Sequence, residues 1–375
     1  MPSAENPPKS ATSKREEVGA FLRREARVVG RGNKLPTVRA LCRTLGVSKS
    51  TVNSALEELQ EMGVLWRKQG SGIYVSEQAD KKCIGLVFGE NVFEIGQSPF
   101  YSMVLGHSRK RAASHDEKFS FYLDTLSAGE GRSLPAHHDL VDALERRRLH
   151  GVLLVSRRSP EQVAWIQAQG VPVVSMAIGC PNEPNCVQPD YAELIRMGAR
   201  TLAGQGCRRI GLISALGLSR EARLQNDAHR EALAGCGLPV REEWIWEQPG
   251  VESSALVTHE EQGYWALMKL MGTDRQALDG LVINDDLMTR GALVAAQKLG
   301  LTIGSDLKIA THANKGSSLL RDQESTINLL EIDPAEIVEA MFGMLERLMA
   351  GNELSAQSVL IPPKLRVASQ VSIFH

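Results

Sequence analysis

The sequence predicts an α/β protein in two parts: a small helical head ending in a β-hairpin, then a two-lobed body of parallel sheets flanked by helices. Three observations lead there. Short helical stretches separated by turn residues fill the first 76 positions, whereas from residue 84 apolar strand-like runs alternate with helical ones. At 375 residues the chain has material for two or three domains with buried cores. Charge divides along the same line: residues 1–76 hold 13 Lys+Arg against 7 Asp+Glu, and the remainder 30 against 37. A basic head precedes an acidic body.

Residues 1–13 are rich in Pro, Ser and Lys and read as a disordered tail. Over Lys14–Val29 the apolar Val18, Phe21, Leu22 and Val28 recur on one helical face, with Arg23, Arg24 and Arg27 elsewhere, which predicts a first helix ended by the glycines after it. Thr37 suits the N-cap of a second helix over Val38–Leu45, and Gly46 the left-handed residue that follows. Ser48 caps a third, Lys49 to Met62, which buries Val52, Ala55, Leu56 and Leu59 while Lys49, Ser50 and Asn53 point away. Gly63 stops it. Val64–Lys68 and Ile73–Val75 around Gly70-Ser71-Gly72 then form a hairpin with a glycine-rich tip. Helix, helix-turn-helix and hairpin make residues 14–76 a winged helix-turn-helix, with residues 77–82 as a linker.

The body, residues 83–375, changes grammar. Strands are expected at Ile84–Phe88, Phe119–Leu123, Gly151–Val155, Val171–Ser175, Arg208–Ile213, Trp244–Trp246, Gly280–Ile283 and Leu307–Ala310. Between them fall helices at Ser98–His115, His137–Leu149, Pro160–Gln169, Tyr191–Gly204, Arg220–Cys236, His259–Met271 and Asp286–Leu299. Near-continuous apolar strands alternating with helices mean parallel sheets covered on both faces. The Pro/Asn-rich stretch Gly179–Pro189 divides the body into two lobes facing a cleft, expected at about 83–178 with 311–330, and 187–310 with 331–375.

Several function classes drop out. The six cysteines show no CxxC pair and read as thiols of a reducing cytosol; Cys180 and Cys186 flank a loop but lack the further ligands a metal needs. No metal and no cofactor are expected. The polar start MPSAENPPKS and the want of any long apolar run argue against export and against a membrane span. No G-x-S-x-G, P-loop, dinucleotide fingerprint or HExxH occurs, and His137-His138-Asp139 opens a polar helix, so no catalytic residue is assigned.

The run LPTVRALCRTLGVSKSTVNSALEELQEMGVLWRKQGSGIYV, Leu35 to Val75, resembles the DNA-binding head of the GntR family. The body is similar to the LacI/GalR type of effector domain, itself periplasmic-binding-protein-like. That likeness rests on IGLVF at 84–88, HGVLLVS at 150–156, GVPVV at 170–174, VQPD at 187–190, GCRRIGLIS at 206–214, LVINDD at 281–286 and GLTIGSDLKIA at 300–310. The combination resembles the arabinose-repressor branch.

The resemblance implies a cytoplasmic transcription regulator, a repressor, that binds double-stranded operator DNA as a homodimer under control of a small-molecule effector. A helix entering the major groove needs short polar or cationic side chains that reach base edges and phosphates. Lys49 suits a guanine or a phosphate, Asn53 an adenine edge, and Ser48, Ser50 and Thr51 phosphates; Arg39 matches a family position that reaches DNA. Gly70 and Gly72 let the wing backbone approach the minor groove. In the body the likeness points to Phe100, Tyr101, Asp190, Trp246, Asn284, Asp285 and His312, of which Phe100 equally suits the core, Asp285 a helix cap and His312 a structural role.

Two departures stand out. Gln225 lies where the LacI type carries an arginine, with Arg223 two residues earlier, and Thr311-His312-Ala313-Asn314 replaces a Gly-aromatic-Asp run. The expected effector is therefore a sugar or related metabolite, or else the body takes a non-sugar ligand or a protein partner. The enzyme alternative is an aminotransferase-like body fused to the head.

Overall fold

The computed structural model describes residues 14–368 apart from 69, 80, 90–97, 116, 125–137, 156–159, 177–183, 215–219, 247–257, 273–276 and 353–357. The expected disordered tail, Cys180 and His137 lie outside the described residues. These divide into two units: one reaches Cys83 and includes His115–Lys118, and the other holds Ile84–Ser114 and Phe119 onward.

The first unit contains α1 (Lys14–Val29), α2 (Val38–Leu45), α3 (Lys49–Glu61), β1 (Leu65–Lys68) and β2 (Gly72–Val75). Thr37 Oγ1 accepts the Ala40 N–H and Ser48 Oγ the Thr51 N–H, and Gly46 ends α2 at φ +65°, so the caps form where the sequence places them. Val52, Ala55, Leu56 and Leu59 of α3 meet Val18, Leu22 and Ala26 of α1, and Leu65, Ile73 and Val75 of the antiparallel hairpin close the core. Val28 departs from expectation and is 77% exposed. The buried face runs 18, 22, 26 at one-turn steps, and Val28 lies about a third of a turn off the middle of that line.

The second unit carries two six-stranded sheets. Its elements are β3 (Lys82–Gly89), α4 (Phe100–Ser114), β4 (Glu117–Asp124), α5 (His138–Glu145), β5 (Gly151–Leu154), α6 (Pro160–Ala168), β6 (Val173–Met176), β7 (Cys186–Pro189), α7 (Tyr191–Gly204), β8 (Ile210–Ile213), α8 (Arg220–Gly235), β9 (Ile245–Trp246), α9 (His259–Met271), β10 (Gly280–Ile283), α10 (Asp286–Leu299), β11 (Lys308–Asn314), β12 (Asn328–Ile332), α11 (Pro334–Met349), β13 (Val359–Ile361) and β14 (Lys364–Arg366). The first sheet runs β13-β7-β6-β5-β3-β4 and the second β14-β12-β11-β10-β8-β9. The first is parallel from β13 through β3; the second is parallel from β12 to β9, with β14 antiparallel at its edge.

This pairing corrects the expected lobe boundaries. Strands β11 and β12 belong to the second sheet, so residues 311–330 are not in the first lobe. Helix α11 packs on α4, β5 and β6, and β13 pairs with β7, so most of 331–375 is not in the second lobe. Strand β7 lies inside the stretch read as a divider; its ladder stops at Pro189, which has no N–H to donate. The chain thus crosses between lobes three times, at β7–α7, at β12–α11, and through Pro362-Pro363 between β13 and β14. One apolar cluster runs from Ile84, Leu86 and Phe88 through Leu194, Ala199 and Leu202 of α7 to Leu212 and Val282, and a second lies between β10, α9 and α10.

Helices α9 and α10 meet at backbone distance. A Cβ on Gly291 would overlap the Glu260 carbonyl, and one on Gly263 the Met288 carbonyl. Only glycine fits either place.

Candidate functional site

Two sites emerge, each on its own unit. On the first, the amino end of α3 presents Lys49 and Ser50 fully exposed, with Arg39 exposed on α2. Ser48 is exposed but committed to capping: its hydroxyl accepts the Thr51 N–H and lies 2.8 Å from both Ser50 Oγ and Thr51 Oγ1. Asn53, half-buried one turn on, receives at Oδ1 a hydrogen bond of 3.2 Å from Arg67 Nη2 of β1. A guanidinium only donates, so the amide oxygen must face it and Asn53 Nδ2 is turned outward. Arg67 is a residue the sequence reading missed; its signal is the charged, exposed side of a short strand beside the helix.

The hairpin adds an aromatic face. Trp66, 44% exposed, stacks on Tyr74 with ring centres 4.8 Å apart, the Tyr74 hydroxyl meets Ser71 Oγ at 2.6 Å, and the Lys34 ammonium sits 5.8 Å from the Tyr74 ring. Gly70 and Gly72 have φ of +73° and +134°. The turn itself demands glycine there, and a Cβ on Gly72 would strike the Lys34 side chain, which is a more local reason than approach to a groove.

On the second unit, a cavity of about 150 Å³ opens between the two sheets. Strand ends supply Met176, Pro189, His312, Asn314 and Ile332; helix starts supply Phe100, Tyr101, Tyr191, His259, Asp286 and Leu287, with Ser98 ahead of α4 and Asp285 capping α10. This is the position where open parallel sheets collect ligands.

Its polar part is one connected group. Asp285 accepts the Met288 N–H through Oδ1 at 2.8 Å and holds His259 Nδ1 against Oδ2 at 2.9 Å. Asp286 Oδ2 accepts from Asn314 Nδ2 at 2.9 Å and from Ser98 Oγ at 3.4 Å, which joins the second lobe to the first. The Tyr191 ring meets His312 edge-on at 5.7 Å. Burial pushes the Asp285 carboxyl up, but His259 and the Met288 N–H outweigh it and hold the group below its usual range. His259 is raised in turn, chiefly by its bond to Asp285. Asp286 goes the other way: burial, seconded by its like-charged neighbour, lifts it despite His312 and its neutral donors. Burial keeps the Tyr191 phenol protonated.

Of the sequence candidates, Phe100, Tyr101, Asp285 and His312 meet at this cavity, and Asp285 serves as cap and lining together. The others stand elsewhere. Asp190 caps α7 by accepting the Glu193 N–H. Asn284 Nδ2 donates to Gln225 Oε1 at 2.5 Å and to Ser214 Oγ, so Gln225 closes a buried polar knot in the position where an arginine grip was looked for. Arg223 is exposed on α8 and Trp246 is buried in the core beside β10. Tyr191, His259, Asp286, Asn314 and Ser98 were missed. The signal for Asn314 was present: two residues beyond His312 on a strand, it shares that face.

Among the described residues no group of three or more His, Cys, Asp or Glu is placed to hold a metal, and no helix is long and apolar enough to cross a membrane.

Residues 17–75 match the gntR family of bacterial regulatory proteins, and residues 199–368 a periplasmic binding protein-like domain. Among curated proteins, the chain is 23% identical over 235 residues to the HTH-type transcriptional repressor PurR of Glaesserella parasuis serovar 5, which covers 58% of this chain and 62% of that one. It is 32% identical over 183 residues to an uncharacterized HTH-type transcriptional regulator of Streptomyces limosus, covering 46% and 48%. The chain therefore spans about half to three fifths of these relatives. Among solved structures, a LacI-family regulatory protein from Chloroflexus aggregans matches at a TM-score of 0.63 with 20% identity over 76% of this chain and 98% of that one. The transcriptional regulator CelR in complex with cellobiose matches at 0.61 with 18% identity over 89% and 99%. These two show the fold. The chain thus carries a segment similar to the gntR family's regulatory domain ahead of one similar to a periplasmic binding protein-like domain, and a transcriptional repressor named PurR is among its relatives.

Proposed function

We propose that this chain, a GntR-type head on a periplasmic-binding-protein-like body, is a cytoplasmic transcription repressor that binds operator DNA as a homodimer and is controlled by a small molecule in the body's cleft. The observation that carries the reading is the exposed amino end of α3, where Lys49, Ser50 and Arg39 stand clear of the core and Asn53 is oriented by Arg67. That face suits a major groove. Two copies are needed because one such helix reads too few base pairs, and a two-fold protein matches a symmetric site. Control follows from linkage: a ligand that favours one arrangement of the lobes changes operator affinity by as much as DNA changes affinity for the ligand.

The body is read as a receptor and not as an enzyme. Its residues 199–368 are similar to a periplasmic binding protein-like domain, which favours a receptor over the aminotransferase-like alternative. Selection of duplexes from a random pool by the full chain tests the whole reading. The expected result is enrichment of a two-fold symmetric sequence with half-sites about one helical turn apart, bound with steep salt dependence. No enrichment, or enrichment of asymmetric sequences alone, contradicts it.

A further inference from the structure

We propose that the cleft is built for a small ligand carrying a protonated nitrogen, seated against Asp286 and Asn314. This rests on reading the cleft as the effector site and names the chemistry that site recognises.

Asp286 is 2% exposed at the cavity wall, and its hydrogen-bond partners among the described residues, Asn314 and Ser98, are both neutral. Its neighbour Asp285 is bonded to the His259 imidazole, whereas Asp286 has no Lys, Arg or His at bonding distance among the described residues. A buried carboxylate facing a cavity, offset by the nearby His312 imidazole but bonded only to neutral donors among the described residues, is a costly arrangement that a cationic group bonded to it would relieve. None of the described residues lining the cavity is a lysine or an arginine.

Asn314 supplies the second, independent observation. It is 2% exposed, and its Oδ1 has no hydrogen-bond partner among the described residues. The amide orientation follows from chemistry, because Nδ2 lies 2.9 Å from a carboxylate oxygen that accepts. An acceptor left unmet at a cavity wall calls for a donor from the ligand. Carboxylate and amide oxygen together make an acceptor pair, and an ammonium with several N–H groups satisfies both.

The remaining walls agree in kind. Phe100, Tyr101 and Tyr191 are aromatic, and aromatic faces attract organic cations. A volume of about 150 Å³ is that of an engineered apolar cavity that accepts benzene, so a six-membered ring fits. Phosphate or carboxylate on the ligand would face the Asp286 carboxylate with no lysine or arginine among the described lining residues to meet it.

Two probe trios decide the matter on the full chain by calorimetry and thermal shift: benzylamine, benzyl alcohol and benzoate; and glucosamine, glucose and glucose 6-phosphate. In at least one trio the ammonium member is expected to bind about tenfold or more tighter than both others, and Asp286→Asn to collapse that preference. If the variant fails to fold, the wild-type comparison alone decides. Equal or tighter binding by a neutral or anionic member, or no binding by either amine, overturns the proposal. Operator affinity measured on the same samples separates this from the function it rests on. A neutral or anionic probe that alters operator binding leaves the regulator standing and removes the amine, whereas probes that bind without altering it count against the effector reading.

Discussion

Asn53 shows how much one side chain's surroundings change its expected role. From the sequence it suited an adenine edge, which needs the amide oxygen to accept and the nitrogen to donate. The Arg67 guanidinium occupies that oxygen, so the neutral Nδ2 donor stands beside the cationic donors of Arg67, a pair suited to the acceptors of guanine. Arg67→Ala is expected to relax base preference at the position read by Asn53, with a cost of about 1–3 kcal/mol against the selected duplex and less against substituted ones; competition titrations with single-base variants check it, and a uniform loss across all of them would reduce Arg67 to a phosphate contact. His229 makes a second residue-scale case. It is 1% exposed on α8, its Nε2 lies 3.3 Å from the Ile210 carbonyl, and burial lowers its pKa to about 4. The native state resists the proton that the unfolded chain accepts from about pH 6.5 downward, so this group's share of stability is complete above 6.5 and is lost as pH falls toward 4. The loss is about 3 kcal/mol at 1.36 kcal/mol per pH unit, and His229→Gln is expected to flatten urea-unfolding stability over that window; an unchanged slope would contradict it.

Among the elements, those whose periodicity or caps are local were legible. Helices α2 and α3 begin and end at Thr37, Gly46 and Ser48 as read, because a cap is a contact between neighbours in sequence. Strand β11 was cut short at Ala310 because Thr311, His312 and Asn314 beyond it are polar, and His312 and Asn314 line the cleft. The signal for a strand fades where the site begins. Gly263 of α9 and Gly291 of α10 are the contact surface between the two helices. Gly291→Ala is expected to destabilise the fold by about 1–3 kcal/mol or more, since the obstruction is backbone that cannot turn aside. Thermal unfolding checks this, and a variant as stable as the parent would mean that α9 and α10 sit further apart.

At the scale of the whole molecule, the sequence showed two lobes and misassigned their pieces. Alternation of strands and helices reveals parallel sheets but not which sheet a late strand joins; β13 and β14, separated by two prolines, go to opposite lobes by pairing partners far away in sequence. The charge division was legible because it needs no topology, and the described cationic residues of the head, the half-buried Arg31 apart, are exposed. Regulation of DNA by the body requires first that the head bind DNA through that face. Titration of the selected duplex at fixed salt with Arg39→Ala and Lys49→Ala is the most direct test: each is expected to weaken binding by about 1–3 kcal/mol while leaving the unfolding midpoint in place, and unchanged affinity in both would contradict the account.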